Sequence, residues 1–168
     1  MRFVAIDPGQ DGAVVCIHED NTITKHKMPL IGVGEVDLQD LYEIIKSYAD
    51  GNTFFGLEDV KPFPGMTATA MGKMLWIKGV KQGILVSLKV PYEMIHPKTW
   101  QTNITGPKTG IPQLKKPNGK NDTKGMALLA AKRLFPNENF LGTERSKVPH
   151  DGIVDATLIA YYLKQTRK

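Results

Sequence analysis

Apolar residues in RFVAID run up to an acid at Asp7 with the short alternation of a strand. PGQDG follows as a turn, AVVCIH as a second strand and NTITKHK as a third. Connections this short predict an antiparallel meander. The period then lengthens. In VDLQDLYEIIKSYAD, Leu38, Leu41, Ile44, Ile45 and Tyr48 share one helical face. Asp37 is placed to cap that helix, and Gly51 and Asn52 to stop it. TFFGLEDV returns to strand and ends in acids, and TATAMGKMLWIKGVKQGILVSL is long, helical in period and rich in small residues. YEMIH is a fifth strand. NDTKGMALLAAKRLF predicts a capped helix ended by Pro136, and a last helix runs from about Asp151 to about Gln165.

Three hairpin-linked strands followed by alternating helices and strands predict an α/β fold. It is a mixed five-stranded sheet, its first three strands antiparallel, with helices on both faces. No internal repeat or linker divides the chain, so one domain over 1–168 is expected.

Composition adds class rather than fold. Hydrophobic residues make up 41% and charged residues 23%, as in a soluble globular protein. No apolar run is long enough for a bilayer, and no charged-then-apolar leader opens the chain. Cys16, the single cysteine, lies in an apolar run, reads as a buried inert thiol and fits a reducing cytoplasm. The formal net charge of +5 is a weak pointer to an anionic partner. Its distribution says more. Lys108, Lys115, Lys116, Lys120 and Lys124 crowd a stretch rich in glycine and proline, with no acid between Thr102 and Asn121. The segment about 102–121 is expected to be a flexible basic loop, a mobile cationic arm for phosphates.

The acids carry the candidate chemistry. Asp7 ends the first strand and Glu58 the fourth. If those strands are parallel neighbours, both carboxylates leave the sheet at one edge, where open α/β sheets bind ligands. Asp151 and Asp155, four apart, share a face of the last helix. Taken singly, Asp7-Pro8-Gly9 is a turn, Glu58-Asp59 a solvated strand end, and Asp151 a helix cap as readily as a catalytic group. Asp155 is different. It sits among Val154, Ala156, Ile159 and Ala160, where an acid needs a partner or a cation. Carboxylates gathered in a cleft raise each other's pKa, and a divalent ion removes that cost. Oxygen donors without a cysteine or histidine cluster suit Mg²⁺ or Mn²⁺ rather than zinc.

IDPGQDGA, LEDV, HPKTWQ, NDTKGMALLAAKRLFP and HDGIVDATLIAYY, in this order, resemble the RuvC-type Holliday-junction resolvases of the RNase H-like/integrase superfamily, in their phage and viral branch. The resemblance spans nearly the whole chain. It implies an RNase H-like fold and a structure-selective endodeoxyribonuclease. Such an enzyme resolves Holliday junctions and related branched DNA by two-metal-ion hydrolysis, in recombination, repair or genome processing. It further implies two Mg²⁺ ions, replaceable by Mn²⁺, on Asp7, Glu58, Asp155 and Asp151. His150, five residues before Asp155, ranks below Asp151 as an auxiliary group.

Around these, Lys124 at the start of its helix is expected to meet phosphate together with the loop lysines. Phe63, in KPFPGM, is weighed evenly between packing and a wedge or stacking group against a base. Trp76 and Trp100 read as core or interface. Met66, Met71 and Met74 read as adaptable packing, with a dimer interface as one use. The expected partner is a four-way junction, whose two-fold symmetry suits a homodimer. The expected place is the cytoplasm, the host's if the chain is phage-encoded. Two competing readings keep part of the pattern. One is an RNase H-like nuclease acting on RNA or RNA–DNA hybrid. The other is an actin-like nucleotide-binding module, which DPGQDGA resembles weakly. A catalytically dead DNA-binding module is disfavoured because every expected acid is present.

Overall fold

The computed structural model describes residues 1–167. Its first strands are β1 (Arg2–Asp7), β2 (Ala13–Ile17) and β3 (Ile23–Lys27), and a small hairpin of β4 (Leu30–Ile31) and β5 (Glu35–Val36) follows. Next come α1 (Leu38–Lys46), β6 (Thr53–Glu58), α2 (Ala68–Ser87), β7 (Tyr92–Ile95), α3 (Pro97–Thr105), α4 (Thr123–Leu134) and α5 (Asp151–Thr166). The main sheet has the order β3-β2-β1-β6-β7. Its first three strands pair antiparallel, while β6 runs parallel to β1 and β7 to β6. This is the mixed five-stranded sheet that the hydrophobic pattern predicts.

The two-residue period of the strands builds two cores. Phe3 and Ala5 of β1, with Ala13, Val15 and Ile17 of β2, pack under α3, α4 and α5. Val4, Ile6, Val14 and Cys16 pack on the other side, under α1 and α2. The central strands are apolar without a break because both faces are covered. Side-chain caps fix the helix starts. Asp37 accepts from the Asp40 N–H, Thr67 from Ala70 and Asp122 from Gly125.

Three features depart from the sequence reading. The β4–β5 hairpin lies outside the main sheet, and its strands of two residues carry no readable period. The helix α3 begins at Pro97, capped by the His96 side chain, and contributes Trp100 and Ile104 to the core. It takes in 102–105 of the stretch expected as loop. A 3-10 turn at Pro107–Thr109 follows, and Lys115 bridges Asn121 across a tight reversal. The third concerns the start of α5, where His150 and not Asp151 is the cap, its Nδ1 accepting from the Ile153 N–H at 3.3 Å. Asp151 is the first helical residue instead.

One glycine positions α5. A Cβ on Gly152 would stand 2.2 Å from the Asp11 carbonyl oxygen and 2.7 Å from the Gly12 Cα. Only glycine lets the helix start press against the β1–β2 turn, which carries the residues after Asp7. No helix among the described residues is long and apolar enough to cross a membrane.

Candidate active site

Parallel pairing sets the first two acids side by side. Ile6 faces Leu57 in the β1–β6 register, so Asp7 and Glu58, the next residues on each strand, leave the sheet together. Pro8 has no N–H to extend the ladder, and the Gly9 N–H turns back to Asp7 Oδ1 at 3.1 Å. Glu58 is 7% exposed, and its Oε1 accepts from the indole Nε1–H of buried Trp100 at 2.9 Å. Asp155 comes from α5, flanked by buried Val154 and Ala156. The helix packs on β1 and β2, which sets Asp155 within the field of the strand-end acids.

The electrostatics follow from burial and crowding. Burial raises Asp7 above the usual carboxylate range, against the Gly9 N–H and the charges of Lys81 and His150. Burial and then Asp7 push Glu58 up to about 7, with the Trp100 hydrogen bond opposing. Burial, Asp7, Glu58 and Asp151, in that order, push Asp155 up to about 8. In all three the surroundings disfavour the charged form relative to water, and the nearby cations only partly offset this. Among the described residues, no three His, Cys, Asp or Glu side chains draw together tightly enough to close around one ion. The three acids are neighbours in field rather than a closed ligand shell.

The other expected site residues are distributed around this group. Asp151 lies at the exposed end of α5, ion-paired with Lys124 of α4. That bond raises the pKa of Lys124 and occupies it with an acid. His150 stands outside the helix as its cap, close enough to Asp7 to act on its charge. Asp59, next to Glu58, leaves the group altogether and pairs with Lys78 at 2.9 Å and Lys61 at 3.6 Å. Phe63 is 61% exposed on the segment between β6 and α2. Lys108, Lys115, Lys116 and Lys120 are exposed on the connection between α3 and α4, where the Lys115 amine bonds Asn121 Oδ1 at 2.5 Å.

Two residues gain roles that the sequence reading lacked. Trp100 is core, as expected, but it also orients Glu58. Lys81 of α2 is fully buried, and its amine donates to the Pro8 carbonyl at 2.5 Å. Burial pulls it down to about 7, with Asp7 opposing. A usable signal was present, because Lys81 stands four residues from both Ile77 and Leu85 on the apolar stripe of α2.

The donor set fits hard divalent cations. It offers carboxylate oxygens only, with no thiolate, and an ion beside them would offset both the burial and the mutual repulsion that raise Glu58 and Asp155.

No protein-family model matches this sequence, and no characterised protein matches it at the sequence level. Solved structures do. The chain superposes on a Thermus thermophilus RuvC structure with a TM-score of 0.56 at 14% identity, over 99% of this chain and 97% of that one. It superposes on T. thermophilus RuvC in complex with Holliday junction substrate with a TM-score of 0.58 at 12% identity, over 99% and 96%.

Proposed function

With its RuvC-type fold as the premise, we propose that this chain is a structure-selective endodeoxyribonuclease. In this reading it resolves four-way junctions and related branched DNA in recombination, repair or genome processing. It works as one domain and as a homodimer in the cytoplasm, each copy nicking one of two opposed strands. The observation that carries the reading is that Asp7 and Glu58 at the carboxyl ends of β1 and β6 and Asp155 of α5, all buried or half-buried, lie in one another's field. Carboxylates held this way have no structural reward, because each adds repulsion to the others. A cation-dependent reaction on an anionic substrate gives them one.

Asp7, Glu58 and Asp155 would hold two Mg²⁺ ions, or Mn²⁺ in their place, with Asp151 completing the set. Bound there, the ions supply Lewis acidity for the attacking water and the departing 3′ oxygen. The chain's own residues prepare the site. The Trp100 N–H fixes Glu58, and the Gly9 N–H fixes Asp7. Lys81 anchors the Pro8 carbonyl from beneath. The buried apolar face of α5 anchors the helix that carries Asp155. Lys124, held near the acids by Asp151, is placed to turn to a phosphate when DNA arrives. Lys108, Lys115, Lys116 and Lys120 extend the cationic track along the α3–α4 connection, and exposed Phe63 is available to unpaired bases at the branch.

The test is symmetric nicking of a synthetic four-way junction with Mg²⁺ or Mn²⁺, wild type against Asp7→Asn, beside flap, duplex and RNA–DNA hybrid substrates. Wild type should nick the junction in two opposed strands and Asp7→Asn should bind without nicking. Preferential cleavage of the hybrid would replace this reading with that of a ribonuclease.

A further inference from the structure

A cavity of about 400 Å³ opens where α3, α4 and α5 meet. It lies away from the acids. The α5 residues in it begin at Tyr161, which is about 9 Å farther along the helix axis than Asp155. Its floor is aliphatic, with Ile104, Ile111 and Leu134. One wall is aromatic. Tyr161 and Tyr162 form it, and the Phe135 ring meets Tyr161 edge-on at 5.8 Å. The polar groups at its rim are poorly paired. Arg133 is the one charged residue in the lining among the described residues, with no acid opposite. Of its five N–H groups, one reaches a protein acceptor, the Gly110 carbonyl, at a long 3.4 Å. The Gln165 amide and both tyrosine hydroxyls have no hydrogen-bond partner among the described residues. Asn103 gives one N–H to the Thr99 carbonyl at 3.2 Å and leaves its side-chain oxygen to another donor.

We propose that this cavity binds a nucleoside monophosphate, with the base on the aliphatic floor and the phosphate on Arg133. The site is separate from the acids, so the inference does not rest on the nuclease reading. Four features select the ligand. The volume suits a small molecule held between three helices. The aliphatic floor and the tyrosine wall suit a flat ring. The Asn103 and Gln165 amides each offer an acceptor and a donor, which match the mixed edge of a nucleobase and would be wasted on a hydrocarbon. A guanidinium with unmet donors and no acid opposite calls for an anion, and its planar fork suits a phosphate. An acidic side chain of a protein partner would satisfy Arg133 but leave the two amides and the flat wall without a counterpart.

The test is titration of the full chain, in EDTA and without DNA, with AMP, GMP, CMP and UMP, monitored by calorimetry and by backbone amide NMR shifts. Adenosine, inorganic phosphate and a short Asp-rich peptide are titrated beside them. At least one monophosphate should bind and shift the amides around 103–111, 130–134 and 161–166. Its affinity should exceed that of inorganic phosphate and of the free nucleoside by about tenfold or more, since each of those lacks half of the contacts. Arg133→Gln should weaken the monophosphate about tenfold. Gln165→Ala should weaken the monophosphate and leave inorganic phosphate unchanged. Both side chains are exposed, and an unchanged thermal midpoint confirms that the fold is kept. No binding by any of the four at millimolar concentration, or binding that Arg133→Gln leaves unchanged, overturns the proposal. Tighter binding of the acidic peptide at the same amides gives the cavity to a protein partner and overturns it as well. Either failure leaves junction cleavage, and with it the nuclease reading, untouched.

Discussion

The helices α5 and α2 cover opposite faces of one sheet and spend their length differently. In α5, nine of sixteen residues are buried. In α2, three of twenty are buried, one of them Lys81, while Leu75, Trp76 and Val86 stand exposed. The helix with the larger apolar interface is the one that carries Asp155. A carboxylate forced up to about 8 strains its surroundings, and only a helix anchored on both sides of it can hold that position. The more loosely committed α2 keeps surface free beside the same acids. Burial is concentrated on the helix that holds a charge against the strand-end acids, and exposed aromatic surface lies on the other.

Breaking the rigid side should have the largest effect. Asp155→Asn is expected to reduce junction cleavage by at least about a thousandfold, roughly 4 kcal/mol of barrier, with binding retained or tightened. Asp151→Asn is the sharper companion. Asp151 is exposed and already paired with Lys124, so the loss should be smaller than at Asp155, and equal losses would place the two acids in equivalent roles. Because His150 is the cap, neither change at 151 nor its consequence for activity can be traced to a lost capping bond.

Next in size is the support behind Glu58. Trp100→Phe keeps most of the buried ring but removes the N–H that binds Oε1. Partners that orient ligating groups typically matter by about 10–100-fold, and cleavage should fall within that range. The divalent-ion concentration for half-maximal activity should rise. A variant with wild-type ion dependence would reduce Trp100 to packing.

A smaller effect is readable without DNA. Burial and neighbouring acids push Glu58 up to about 7 and Asp155 up to about 8 in the folded chain, from their usual 4.5 and 3.8. Between those limits the folded state holds protons that the unfolded state has lost. Their stabilising contribution is therefore complete below about pH 4 and lost as pH rises toward 8. In EDTA the thermal midpoint should fall from pH 5 to pH 8, and Mg²⁺ at pH 8 should restore it. Asp155→Asn should flatten the profile. A midpoint unmoved by pH in EDTA would mean that the acids are solvated and uncoupled.

The smallest expected change lies farthest from the buried helix. Neutralising Lys115, Lys116 and Lys120 together should leave the fold intact and lower the log–log salt slope of DNA binding by about one unit for each phosphate that no longer meets an amine. An unchanged slope would show that these exposed amines meet only water.

What the sequence alone determined were the features written in local periods and spacings. The strand period of β1 and β2, the amphipathic face of α1, its Asp37 cap and the capped start of α4 are short-range properties, and each is where the pattern put it. The acids at 7, 58 and 155 were legible for the same reason, two as strand ends and one as a charge inside an apolar helix. Tertiary structure decided the rest. Whether Asp7 and Glu58 meet depends on a parallel pairing of residues some fifty positions apart, which no local period encodes. The hairpin at 30–36 has strands too short for a pattern, and α3 places two apolar residues among polar ones, so both take shape only against their neighbours. Gly152 is needed for an approach of two backbones distant in sequence. Lys81 stands on the apolar stripe of α2, but its burial and the nearness of the Pro8 carbonyl are properties of packing and not of the chain.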